Sequence, residues 1–177
     1  ITGQGGILRA HSFGGNIVIS NSKGELSTSC IGGDIFMDNL IGTVESQTSG
    51  GSITLSKIES EYINCNSSGG MIKCENISGQ IKLKNSGNGI NIVNAIGNLD
   101  LHSTSGDISI NDAKGSIKCE ASIGDITMLN ISGKVEGLNS NGHIFLEILY
   151  DSSIDDFSIH LENHSGDIEI TIPKNLP

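Results

Sequence analysis

The sequence predicts an all-β fold, a parallel β-solenoid of about nine 18-residue coils with two short strands in each coil. Three observations carry this. The phrase Gly-x-Ile-x-aliphatic recurs along the whole chain at near-constant spacing, a second alternating phrase keeps the same register, and no segment has the i, i+3, i+4, i+7 apolar spacing of a helix.

The first strand of each coil is marked by Ile17, Ile35, Ile53, Ile72, Ile90, Ile108, Ile126, Ile144 and Ile168, each with an aliphatic, Met or Cys partner two residues on. The intervals are 18 residues except for 19 between Ile53 and Ile72 and 24 between Ile144 and Ile168. The second strand is marked by Leu8, Leu26, Val44, Ile63, Ile81, Leu99, Ile117, Val135 and Ile159, alternating with polar residues such as Arg9, Glu45, Lys82, Asp100 and Lys118. Alternation with period 2 over about five residues is the signal of a half-buried strand. Between the strands lies a third apolar column, Leu40, Ile58, Ile77, Ala95, Ala113 and Ile131, followed in most copies by a glycine such as Gly42, Gly79 or Gly97. These glycines mark corners, where the chain needs positive φ or close backbone approach.

One copy cannot bury its apolar face alone, so stacking must do it. Equivalent strands one coil apart would pair in parallel at about 4.8 Å, giving a rod roughly 40 Å long with the nine Ile residues as one continuous core stack. The inward positions within a repeat have no period of six, which excludes the left-handed hexapeptide helix, and right-handed winding is expected. Residues 1–177 form one domain, with a loop insertion over 147–157 and a terminal coil over 158–177. The insertion is expected to cover the final coil as a cap. One extra residue also enters between Ile58 and Ile63, where Glu61 replaces the corner glycine.

Lys and Arg number 10 against 20 Asp and Glu, a net charge of −10, and the cations are scattered, so no nucleic-acid partner is expected. No apolar run reaches the roughly 20 residues of a membrane-spanning helix. Ile1 stands inside a repeat, so any secretory leader would lie outside these residues. Four cysteines, Cys30, Cys65, Cys74 and Cys119, have no metal-binding spacing and fall on inward positions, where they read as small core residues. Cys65 and Cys74, in neighbouring strands of one coil, are the one pair within disulfide reach.

Two sets of residues are candidate binding positions. The column just after the first-strand glycine includes Asp107, Asp125, His143 and Asp167, and stacking brings Asp107 and Asp125 one coil apart. Two such carboxylates can share a cation or a proton. A single acidic column supplies too few converging oxygens for a calcium cage, so the aspartates are read as turn residues bonding local amides and His143 as a surface residue. Phe36 and Phe145 fall on the outward side of the first strand, where aromatic rings can stack on sugars or partner surfaces, but six coils separate them. A glycan hydrolase needs paired carboxylates across a loop-built cleft, and only Glu147–Phe157, with Glu147, Asp151, Asp155, Asp156 and Tyr150, could supply one. Neither catalytic residues nor a metal or cofactor is expected.

The repeated phrase Ser105-Gly106-Asp107-Ile108 and Ser165-Gly166-Asp167-Ile168, with the closing Asp167-Ile168-Glu169-Ile170-Thr171-Ile172-Pro173, resembles the bacterial adhesin-type family of β-strand-repeat proteins, in the version found in Bacteroidetes. The resemblance implies an exported protein of the cell envelope or cell surface, a solenoid fold, and an adhesive or scaffolding role with a glycan or protein ligand. Two readings follow. One is a non-enzymatic binding or adhesion module; the other is a scaffold that self-associates by stacking end coils, with a polysaccharide-active enzyme a weaker third.

Overall fold

The computed structural model describes residues 5–153 and 157–174, and these form a single 13-stranded parallel sheet wound into a solenoid. β1 (Ile7–Ser12), β2 (Ile17–Lys23), β3 (Glu25–Cys30), β4 (Ile35–Ile41) and β5 (Val44–Thr48) alternate between the two faces. In β6 (Ile53–Ser67), β7 (Ile72–Asn85), β8 (Ile90–Ser103), β9 (Ile108–Ala121) and β10 (Ile126–Asn139), both halves of a coil run as one strand bent at the corner. β11 (Ile144–Ile148), β12 (Ile159–Asn163) and β13 (Ile168–Thr171) complete the array. Each first-strand Ile pairs with the Ile one coil away, Ile17 with Ile35 and so on to Ile144 with Ile168. The solenoid makes about eight turns, flanked by one further strand at each end.

Bending without breaking the strand depends on two positions. Asn21, Asn39, Lys57, Asn76, Asn94, Asp112 and Asn130 all adopt left-handed backbone, with φ between 51° and 59°. Asn and Asp tolerate that conformation better than other side chains because their short polar groups bond locally. Three residues later comes the corner glycine. Gly97 has φ of +130°, and a Cβ there would collide with the carbonyl oxygen of Gly79 one coil below. Because every kink sits on an identical kink, with Gly79, Gly97, Gly115 and Gly133 paired in register, the ladder runs through the corner unbroken.

The core holds the predicted columns. Ile35, Ile53, Ile108 and Ile126 are fully buried, as are Leu40, Ile58 and Ile131 of the corner column and Val44, Ile63 and Leu83 of the second strand. All nine first-strand Ile residues stack in register, and eight of them are buried. Ile168 remains 41% exposed, because β13 pairs only with β11 and no described strand lies over its other edge.

The two irregularities are accommodated differently. The extra residue between Ile58 and Ile63 is absorbed as a β-bulge, with the register shifting between Glu59 and Tyr62 and Ser60 Oγ accepting from Tyr62 N at 3.1 Å. The described part of the long insertion runs along the flank and brings Phe157, partly buried, back against the core. It leaves β11 at Leu149, whose N–H bonds Ile131 O at 2.8 Å, and lies against the flank of β9 and β10, where Lys114 Nζ reaches Asp151 Oδ2 at 2.7 Å and Ser153 Oγ at 2.8 Å. Local polar anchors on the flank thus direct the loop sideways. Asp155 and Asp156 lie outside the described residues.

Candidate functional site

The predicted acidic column exists, but its oxygens face along the rod. Asp107 Oδ1 accepts the N–H of Asp125 at 2.9 Å, Asp125 Oδ1 accepts that of His143 at 2.8 Å, and His143 Nδ1 accepts that of Asp167 at 3.1 Å. At the other end, Asn16 Oδ1 accepts from Asp34 N, and Asp34 Oδ1 from Ser52 N at 2.7 Å. The expected bond to local amides is therefore a bond to the amide one coil along, because stacking presents that N–H directly above the side chain. Asp107, Asp125, His143 and Asp167 are brought into one line; the side chains of the first three tie coil to coil, whereas Asp167 joins through its N–H and its carboxylate stands exposed, 3.6 Å from His143 Nδ1. For His143 to accept at Nδ1 its ring must be neutral with the proton on Nε2. Phe36 and Phe145 both face outward and are not brought together; Phe36 sits between Val18 and Thr54, Phe145 between Thr127 and Glu169.

A second polar column, at the inner end of the second strand, escaped sequence reasoning. Thr48 Oγ1 donates to Gly33 O at 3.1 Å and accepts from Gly51 N at 3.2 Å. Asn85 donates to Gly70 O and accepts from Gly89 N, and Ser67 donates to Gly51 O. These buried groups fasten each turn to the strand before it, as buried polar atoms require. Cys30 joins this column through its sulfur, which accepts from Gly33 N at 3.1 Å.

All four thiols are free and buried. Burial pushes the Cys74 thiol up to about 12 and the Cys65 thiol well above its ordinary value, helped there by Cys74 nearby. Such thiols are poor nucleophiles at neutral pH. On the outer face of the second strand, charges of opposite sign alternate from coil to coil. Lys82 pairs with Asp100 at 3.0 Å, and Lys118 with Glu136 at 3.0 Å and Glu120 at 3.1 Å. Hydrogen bonds donated to these carboxylates hold both ammonium groups above the usual lysine range.

One flank carries a furrow that the corner glycines leave open beside β1, β3 and β6. It encloses about 660 Å³ around Gly6, Gly24 and Gly42, with Ile7, Ile41 and Glu59 among its walls. The bulge places Glu61 at its end, and a neighbouring hollow continues it past Thr43 to Tyr62. Ile7 is 61% exposed and Ile41 47% exposed, so apolar surface lies open here. The one sequence signal for it was Glu61 standing in place of a corner glycine.

The family model of Toastrack DUF4097 matches residues 12–153. The chain belongs to the Toastrack DUF4097 family. The match spans β2 to β11 and includes the bulge at Ser60–Tyr62 and most of the furrow wall, and it agrees with the β-solenoid repeat family suggested by the Ser-Gly-Asp-Ile phrases. No curated protein and no solved structure matches the chain. Among the described residues, no helix is long and apolar enough to cross a membrane.

Proposed function

We propose that this Toastrack solenoid is a non-enzymatic binding or adhesion module of the cell envelope or cell surface, exported to reach it, which engages a glycan or protein partner through a side of the rod. The observation that supports this reading most is the continuous open furrow beside the corner glycines, with exposed Ile7, Ile41 and Tyr62 on a scaffold whose own polar groups are tied down coil to coil. Rigid, repetitive backbones of this kind suit extended binding surfaces. Paired carboxylates across a loop-built cleft, which glycan cleavage needs, find no counterpart in the aspartate column, whose oxygens accept backbone amides.

The test is a binding screen of the purified chain against glycans, peptidoglycan fragments and matrix proteins, with calcium present and then chelated. A saturable hit lost on mutating furrow residues supports the module. Turnover of any of these glycans would replace it with an enzyme. The self-associating scaffold is the second reading, favoured by Ile168 and Ile170, which are exposed in β13 with no described strand beyond them; filaments seen by light scattering would select it.

A further inference from the structure

We infer that the furrow at the bulge binds an extended, lysine- or arginine-bearing segment of a partner polypeptide. The inference rests on the binding-module reading and names the partner chemistry of that site. Its ground is a contrast in how the carboxylates of this acidic chain are used. Asp38, Asp100, Glu120, Glu136 and Asp151 each have a Lys partner, and Asp34, Asp107 and Asp125 accept backbone amides. Among the described residues, Glu25, Glu59 and Glu61, which line the furrow together, are exposed and have neither, while other glutamates without a Lys partner, such as Glu75 and Glu169, lie outside it. Among the described residues Lys23 and Arg9 make no ion pair with them, although Arg9 lines the adjoining hollow beside Glu25. Three unneutralised carboxylates gathered along one groove make a local negative field that attracts and orients cationic groups.

The shape narrows the partner further. Glu25 belongs to the coil two below Glu59 and Glu61, a gap of about 10 Å, which three residues of extended chain would span. Ile41 lies in the coil between them, Ile7 one coil beyond Glu25, and Tyr62 next to Glu61, so apolar surface flanks the carboxylates along the groove. Aliphatic walls suit the methylene stems of Lys and Arg and neighbouring apolar side chains. The bulge sets this coil apart: bulges recur next to functional surfaces, and here Ser60 and Glu61 stand where the neighbouring coils have a corner glycine, while Tyr62 takes the outward position held by Gln80, Asn98 and Ser116 in the coils that follow.

The test is fluorescence anisotropy of a labelled octapeptide alternating Lys and Val, run against the whole chain beside a Glu–Val octapeptide and free spermine. Saturable, salt-sensitive binding of the Lys–Val peptide is expected, with spermine competing weakly and the acidic peptide silent. The triple variant Glu25→Gln, Glu59→Gln, Glu61→Gln should weaken it roughly tenfold, and Tyr62→Ala should weaken it without changing the salt dependence. A charge-matched control, Glu75→Gln, Glu162→Gln, Glu169→Gln, should bind as the unaltered chain does. All six glutamates are exposed, so both triple variants should keep the unaltered melting temperature. Absence of binding, equal loss in both triple variants, or full competition by spermine would overturn the inference. A hit in the envelope-ligand screen that maps to another face would overturn the furrow alone and leave the module standing.

Discussion

The Asp125 carboxylate accepts the backbone N–H of His143 at 2.8 Å, eighteen residues along the chain and one coil along the rod. The same bond recurs from Asp107 to Asp125. A side chain that looks like a ligand in the sequence thus serves as a rung between coils.

This relationship separates acceptor from charge. Asp125→Ala should cost about 1 kcal/mol, while Asp125→Asn, which keeps an acceptor oxygen, should cost well under half of that. Urea unfolding of the two variants checks it; equal losses would mean the charge rather than the hydrogen bond matters.

Ile108 is fully buried in mid-stack and its neighbour Ser109 faces outward between Asn91 and Thr127. Ile108→Asp buries an unpaired charge and should destabilise by more than about 4 kcal/mol, opening adjacent coils first because each coil contacts only its neighbours. Ser109→Asp should stay within about 0.5 kcal/mol. Hydrogen exchange resolved by coil distinguishes local opening from global loss.

Lys57 occupies the left-handed position with φ of 54°, in a column otherwise made of Asn and Asp. Its ion pair with Asp38 is long, 3.9 Å, and exposed, so little is lost with it. Lys57→Asn should stabilise the chain by about 0.5–1 kcal/mol. It would also place an amide between Asn39, which already bonds Asn21 at 2.7 Å, and Asn76, which accepts from Asn94 at 2.6 Å. A thermal melt reads the gain directly; a lower melting temperature would count against the strain argument.

The loop anchor is pH-sensitive in a definite direction. The Lys114 ammonium first, and then Ser153, hold the Asp151 carboxyl far below its ordinary value. A carboxyl lowered on folding adds stability above the unfolded pKa of about 3.9, and that stability is lost as pH falls through the folded value. The loop should therefore stay docked at neutral pH and loosen only in strong acid. Lys114→Met should raise the Asp151 titration midpoint towards about 3.9 in an NMR pH titration.

Much of this was legible in the chain. The Ile17 to Ile144 stack and the corner glycines could be named by number because period-2 alternation and a fixed repeat depend on local steric rules that act on every copy alike. The left-handed column from Asn21 to Asn130 recurs at the spacing of the repeat, but a repeated polar residue is compatible with several backbone conformations, so its positive φ was not legible from the column alone. The aspartate column was visible as a column, yet the direction of its bonds was not, because that depends on which backbone N–H the next coil sets above each carboxylate.

By itself, then, the sequence determined the solenoid: eighteen-residue spacing, apolar alternation and glycine placement leave no other way to bury Ile and satisfy the backbone. The tertiary structure alone decided where the loop after Leu149 lies, that Ile168 stays exposed, and that Glu25, Glu59 and Glu61 share one furrow. Those outcomes turn on the placing of residues distant in sequence and unmatched in the repeat, Lys114 against Asp151 or Glu25 along one furrow with Glu61, and only the winding of the chain brings such residues together.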